Sequence, residues 1–200
     1  MEEAVASHAA SLGAPAPRTH VHTRRAEYRG YRRDDGLWDI EAELTDAKTY
    51  AHSTPDRGVM EAGEPVHGMA IRLTVDDAMR ITAVEVGMPA APFPECQRAK
   101  PPMSRLIGCT LGRGWRKAIE HALGGTQGCA HLRELLFNMA TVAYQTIPLY
   151  KLHLRRSAGR PDPVLKRPPP HIGRCLAWDF DGAVVKRHTP QFAGWNRKDG

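Results

Sequence analysis

The chain has 200 residues, a 42% hydrophobic content and a formal net charge of +6, which suits one compact domain with tails and enough apolar side chain for a core. No run approaches the roughly 18 to 20 apolar residues of a membrane span, and the first residues (Glu2, Glu3, His8) lack the basic start and apolar stretch of a signal peptide. A soluble, cytoplasmic protein with no membrane partner is therefore expected.

The basic charge belongs to the ends. Residues 1–33 carry six arginines against three acids and residues 151–200 carry eleven Lys or Arg against four, while the segment between them is acidic on balance. Basic ends can meet an acidic partner, yet these lack the aromatic interleaving of a nucleic-acid reader, which argues against that class. Four scattered cysteines (Cys96, Cys109, Cys129, Cys175) are too few for a disulfide scaffold and direct attention to burial, metal ligation or reactivity.

In chain order, residues 1–27 are rich in Ala, Pro, His and Arg without a sustained period and read as a flexible arm. Asp34-Asp35-Gly36 is turn chemistry. "LWDIEAEL" then alternates, with Trp38, Ile40, Ala42 and Leu44 on one side, the period of a half-buried strand near 37–45. "VHGMAIRLTVD" repeats the pattern near 66–76, and His67 shares the parity of its apolar face. Asp76-Asp77 turns the chain into "MRITAVEV", a third strand near 79–87, which completes a meander. Five prolines between Pro89 and Pro102 make a loop around Cys96.

Helical spacing follows in "GWRKAIEHALGG" (near 112–123) and again from Cys129 to about Thr146, where Leu132, Leu135, Leu136, Met139, Val142 and Ala143 form an apolar stripe and Pro148 limits extension. Residues 151–173 read as a basic, proline-rich linker inside a single domain of residues 28–188, with 189–200 as a tail. "CLAWDFDGAVVKRH" reads as a hairpin around Asp181-Gly182. The expected fold is α+β: an antiparallel sheet, made of a three-stranded meander plus a C-terminal hairpin, with two or more helices on one face.

No HExxH, CxxC, GxSxG, Walker or dinucleotide glycine motif occurs, which argues against the common enzyme classes. What remains is "GGTQGCAHLREL". Cys129 falls in the first turn of its helix, where unpaired backbone N–H groups and the helix dipole favour a thiolate, and His131 lies two residues on. His67 at a strand start and Cys96 in the proline loop are the other well-placed soft or borderline donors. His67, Cys96, Cys129 and His131 are thus candidate metal ligands, the alternative being that His67 pairs with a backbone carbonyl while the thiols are small buried hydrophobes. Cys109, in an apolar setting, reads as core, and Cys175 as a packed strand residue.

"YRRDDGLWDIEAELTDAKTY", "GEPVHGMAIRLTVD", "FPEC", "GW" and "GCAHLRELL", in that order over roughly residues 28–188, resemble the bacterial family called domain of unknown function 2889, and "CLAWDFDGAVVK" is similar to its C-terminal segment. That resemblance implies no activity. The arrangement of "GEPVHGM", a hairpin, a loop cysteine and "GCAHL" is also similar to the iron–sulphur cluster scaffold proteins. There His67 stands where that family has a cysteine, Met69 where it has an aspartate, and Cys96 and Cys129 where it has its other cysteines. With these departures the similarity implies a mononuclear zinc or iron site in place of a cluster. Three readings stay open: a small metal-binding protein, a non-catalytic module that docks a protein partner, and a thiol enzyme with Cys129 as nucleophile and His131 or His67 as its base.

Overall fold

A computed structural model describes residues 12–195. The chain divides into two compact units, Met1–Tyr150 and Lys151–Gly200. In the first, strands β1 (His22–Arg32), β2 (Trp38–Lys48), β5 (Pro65–Val75) and β6 (Ile81–Ala90) form an antiparallel sheet in the order β1-β2-β5-β6. A small hairpin, β3 (His52–Thr54) with β4 (Gly58–Met60), interrupts the chain between β2 and β5. The class is α+β, and the three strands read from alternation are β2, β5 and β6, lying side by side as a meander.

The alternation is visible in burial: Trp38, Ile40, Ala42 and Leu44 are buried, as are Met69, Ile71, Leu73 and Val75. These side chains join Ile119 and Leu123 of α1 (Trp115–Leu123) and Leu132, Leu135, Leu136 and Met139 of α2 (Ala130–Ser157) in one core. Between β6 and α1 the proline loop folds into two 3-10 turns, Pro94–Ala99 and Pro101–Leu106. Gln97 Nε2 ties this loop to β6 by donating to the Met88 carbonyl at 3.0 Å. Trp115 Nε1 ties α1 to α2 by donating to the Leu136 carbonyl at 2.7 Å, inside the core. The opposite sheet face is charged: Arg72 of β5 donates to Glu41 of β2 at 2.7 Å and to Glu85 of β6 at 3.2 Å.

Four expectations need correction. Residues 22–27, assigned to the arm, form the first half of β1, which pairs with β2 along its whole length; residues 1–11 of that arm lie outside the described residues. Helix α2 does not stop at Pro148 but runs to Ser157. Proline removes one N–H donor, a loss that a 28-residue helix anchored by buried Ala143 and Ile147 absorbs; residues 151–157 are therefore helix, not linker.

The C-terminal hairpin is absent among the described residues. Gly182 has φ −75° and ψ 161°, whereas the tight hairpin turn needs positive φ. Asp179 instead accepts the Asp181 N–H on its carboxylate at 3.1 Å and the Gly182 N–H on its carbonyl at 2.9 Å. That turn leads into a short helix, α3 (Ala183–His188). Finally, the expected tail is partly packed: Pro190–Phe192 is a 3-10 turn, and Phe192 is buried with Ile172 and Val185 in the second unit's own small core. Residues 196–200 lie outside the described residues. No helix among the described residues is long and apolar enough to cross a membrane.

Candidate metal centre

The site grows out of the sheet's pleat. Side chains two apart on a strand share a face, so the inward series Trp38, Ile40, Ala42, Leu44 reaches Asp46 next. Asp46 is 5% exposed. Its register partners are Arg24 on β1 and His67 on β5. At the end of the core, an apolar face therefore gives way to a row of a cation, a carboxylate and an imidazole on three adjacent strands. Arg24 Nη1 donates to Asp46 Oδ2 at 2.5 Å, and His67 Nδ1 lies 3.0 Å from Asp46 Oδ1.

The first turn of α2 brings the remaining groups. Cys129 stands immediately before the helix, and its carbonyl accepts the Arg133 N–H at 3.0 Å, the first bond of the helical ladder. Gly128 lets the chain pass this close to α1, because a Cβ there would sit 2.7 Å from the Leu123 carbonyl oxygen. Midway along the same helix, Gly30 of β1 leaves room for Thr146, whose Oγ1 would stand 2.1 Å from an added Cβ. With α2 so seated, the rings of His131 and His67 lie 4.0 Å apart, tilted by 47°. Glu134, three residues further along, takes two bonds from Arg24, Nη2 to Oε2 at 2.6 Å and Nε to Oε1 at 3.3 Å.

Among the described residues, the set of potential ligands whose donor atoms all lie within 4.8 Å of one another is Asp46, His67 and His131. Burial first, then the neighbouring His67 and Arg24, hold the His131 imidazole below its ordinary value. That keeps it neutral, the form that ligates metal. Because a carboxylate only accepts, the His67 nitrogen facing Asp46, Nδ1, is the one that carries a proton, and in the neutral ring the lone pair is then on Nε2. An ion can be held at Nε2 with Asp46 behind the ring as an orienting partner, or directly by the carboxylate in place of that hydrogen bond.

Of the four residues the sequence singled out, His67 and His131 come together. Cys129 joins them at their edge, with Sγ 3.9 Å from His131 Nδ1. Cys96, in the turn Pro94–Ala99, lies outside the converging donors. It lines a crevice of about 600 Å³ together with Cys129, Glu95, Arg98 and Gln127. Met69, which the likeness to the scaffold proteins set in the place of an aspartate, is buried in the core; the carboxylate near the two histidines is Asp46 on the neighbouring strand. Cys109 packs half-buried against the core, as expected, but Cys175 is exposed, because the strand it was to open does not form.

Asp46, Arg24 and Glu134 were missed by the sequence reading. Asp46 did carry a signal, an acid at the parity of a run of buried apolar residues, whereas Arg24 and Glu134 are found only once β1 and α2 are placed. No curated relative and no solved structure matches the chain. A family model described as "Protein of unknown function (DUF2889)" matches residues 22–145, the stretch from the start of β1 to the middle of α2 that contains every residue of this site. More than half of the chain is covered, and the chain belongs to that family.

Proposed function

We propose that this protein binds a single divalent metal ion, zinc or iron(II), through Asp46, His67 and His131, with Cys129 as a nearby fourth donor. The observation that carries the reading is the convergence of three ligand side chains from β2, β5 and α2 within 4.8 Å. Two imidazoles and a carboxylate, with a thiol 3.9 Å from one ring, are a borderline donor set that suits these ions. Energetics point the same way. Buried charge networks are seldom worth more to stability than the apolar side chains that could replace them, so a charged row continuing an otherwise apolar face calls for a functional reason. In this arrangement the Asp46 carboxylate turns from His67 to the ion, the environment keeps His131 neutral, and Cys96 lines the crevice beside Cys129.

Metal content of protein purified without a histidine tag, followed by equilibrium dialysis against Zn²⁺ and Fe²⁺, tests the proposal. Close to one ion per chain is expected, lost in His67→Ala/His131→Ala while circular dichroism stays unchanged. Metal no higher than in that double variant would refute it. The contact between Cys129 and His131 also favours a second reading, a thiol nucleophile facing the crevice. Cys129→Ser separates the two, since it abolishes thiol chemistry but leaves the other three donors to hold the ion.

A further inference from the structure

Resting on that reading, we infer that Arg24 is the resident cation of the site and that metal binding is an exchange, in which the ion takes Asp46 and Arg24 passes wholly to Glu134. Arg24 occupies Asp46 Oδ2 at 2.5 Å, the closest contact that carboxylate makes. The same guanidinium already holds both oxygens of Glu134, at 2.6 and 3.3 Å. A planar fork with five donors can serve two carboxylates at once and give one up without being left unpaired. Glu134 is placed for this by the helix: His131 and Glu134 are three residues apart and share a face of α2, so the side chain that meets the ion and the one that receives Arg24 move as one piece.

The charge count makes the exchange selective. Without metal, Arg24 offsets one of the two carboxylates. A monovalent cation offers Asp46 no more charge than Arg24 already supplies, whereas a divalent ion offers twice as much and gains the two imidazoles. Arg24 thereby sets a threshold for occupancy.

The test is Zn²⁺ affinity, measured by competition with a chromophoric chelator at about pH 7, for the wild type, Arg24→Gln, Glu134→Gln and the double variant. Removing the competing cation should tighten binding about tenfold or more, the scale expected for a charge a few ångströms from a divalent ion at a partly exposed site. Glu134→Gln should weaken binding several-fold in the wild-type background, because Arg24 then has nowhere to go, but change it less than about twofold once Arg24 is absent. A merely structural role for Arg24 gives the opposite sign, looser binding on its removal. If Arg24→Gln does not fold, Arg24→Met, which keeps the aliphatic stem but removes the charge, should bind more tightly than the wild type. Unchanged or weaker binding in the Arg24 variants, or an equal effect of Glu134→Gln in both backgrounds, overturns the exchange while leaving the metal site in place. Failure of all four proteins to bind zinc overturns both.

Discussion

The two ends of the sheet's inner face obey the same geometry and do opposite things. Along β2, Ile40 and Leu44 are closed off from solvent among the side chains of the core; two residues beyond Leu44, Asp46 is nearly as buried but faces Arg24 and His67. Parity decides that a side chain points inward, and chemistry decides what it does there. The apolar end gains stability from area removed from water, while the polar end must satisfy every charge it buries. The second end is where α2 begins, so His131 and Glu134 of its first turns stand beside the polar row.

Leu44→Ala should have the largest effect: a cavity in the closed end, costing about 2–5 kcal/mol of unfolding free energy, read as a lower denaturant midpoint. Asp46→Ala should cost less, about 1–3 kcal/mol, because Arg24 is partly exposed and loses one partner but keeps Glu134. Converting the whole row, with Arg24→Met, Asp46→Leu and His67→Leu together, should return stability to within about 1 kcal/mol of the wild type while abolishing metal binding. A large further loss in the triple variant would mean that the polar end is kept for stability, and the contrast between the two ends would collapse.

The smallest expected effect is on pH dependence. The folded state holds the His131 pKa below its unfolded value, so the unfolded chain binds more protons in that window. Stability should therefore rise with pH through the window and be lost as pH falls below about 6.5. In chelator-treated protein, His131→Gln should flatten this slope between about pH 5 and pH 7. Part of it should remain from His171, whose pKa burial also lowers. An unchanged slope would show that His131 is solvated.

Strands β2, β5 and β6 and both long helices were legible because each buries one face, and burial imposes a period on the sequence. β1 was not, because an edge strand paired on one side is mostly exposed and carries "HTRRAEYRGYR" with little apolar alternation. α3 was misread as a strand because short apolar runs around an Asp-Gly fit either state until the sign of the Gly182 φ is known. Within the site, His67 and His131 were legible from their positions at element starts. Asp46 could have been found by extending the parity of Leu44 by one step. Arg24 and Glu134 could not: their pairing spans 110 residues and depends on a strand that the sequence did not announce.

In the proposed site, Asp46, His67 and His131 together hold one divalent ion. The most direct measurement is an anomalous-difference map at the zinc absorption edge from crystals of zinc-loaded protein. A single strong peak with nitrogens of His67 and His131 at about 2.0–2.1 Å and an oxygen of Asp46 at about 2.0–2.2 Å, the Cys129 sulphur completing the shell, is the predicted result. A map without a peak between the two imidazoles, or with zinc bound only elsewhere, would contradict it.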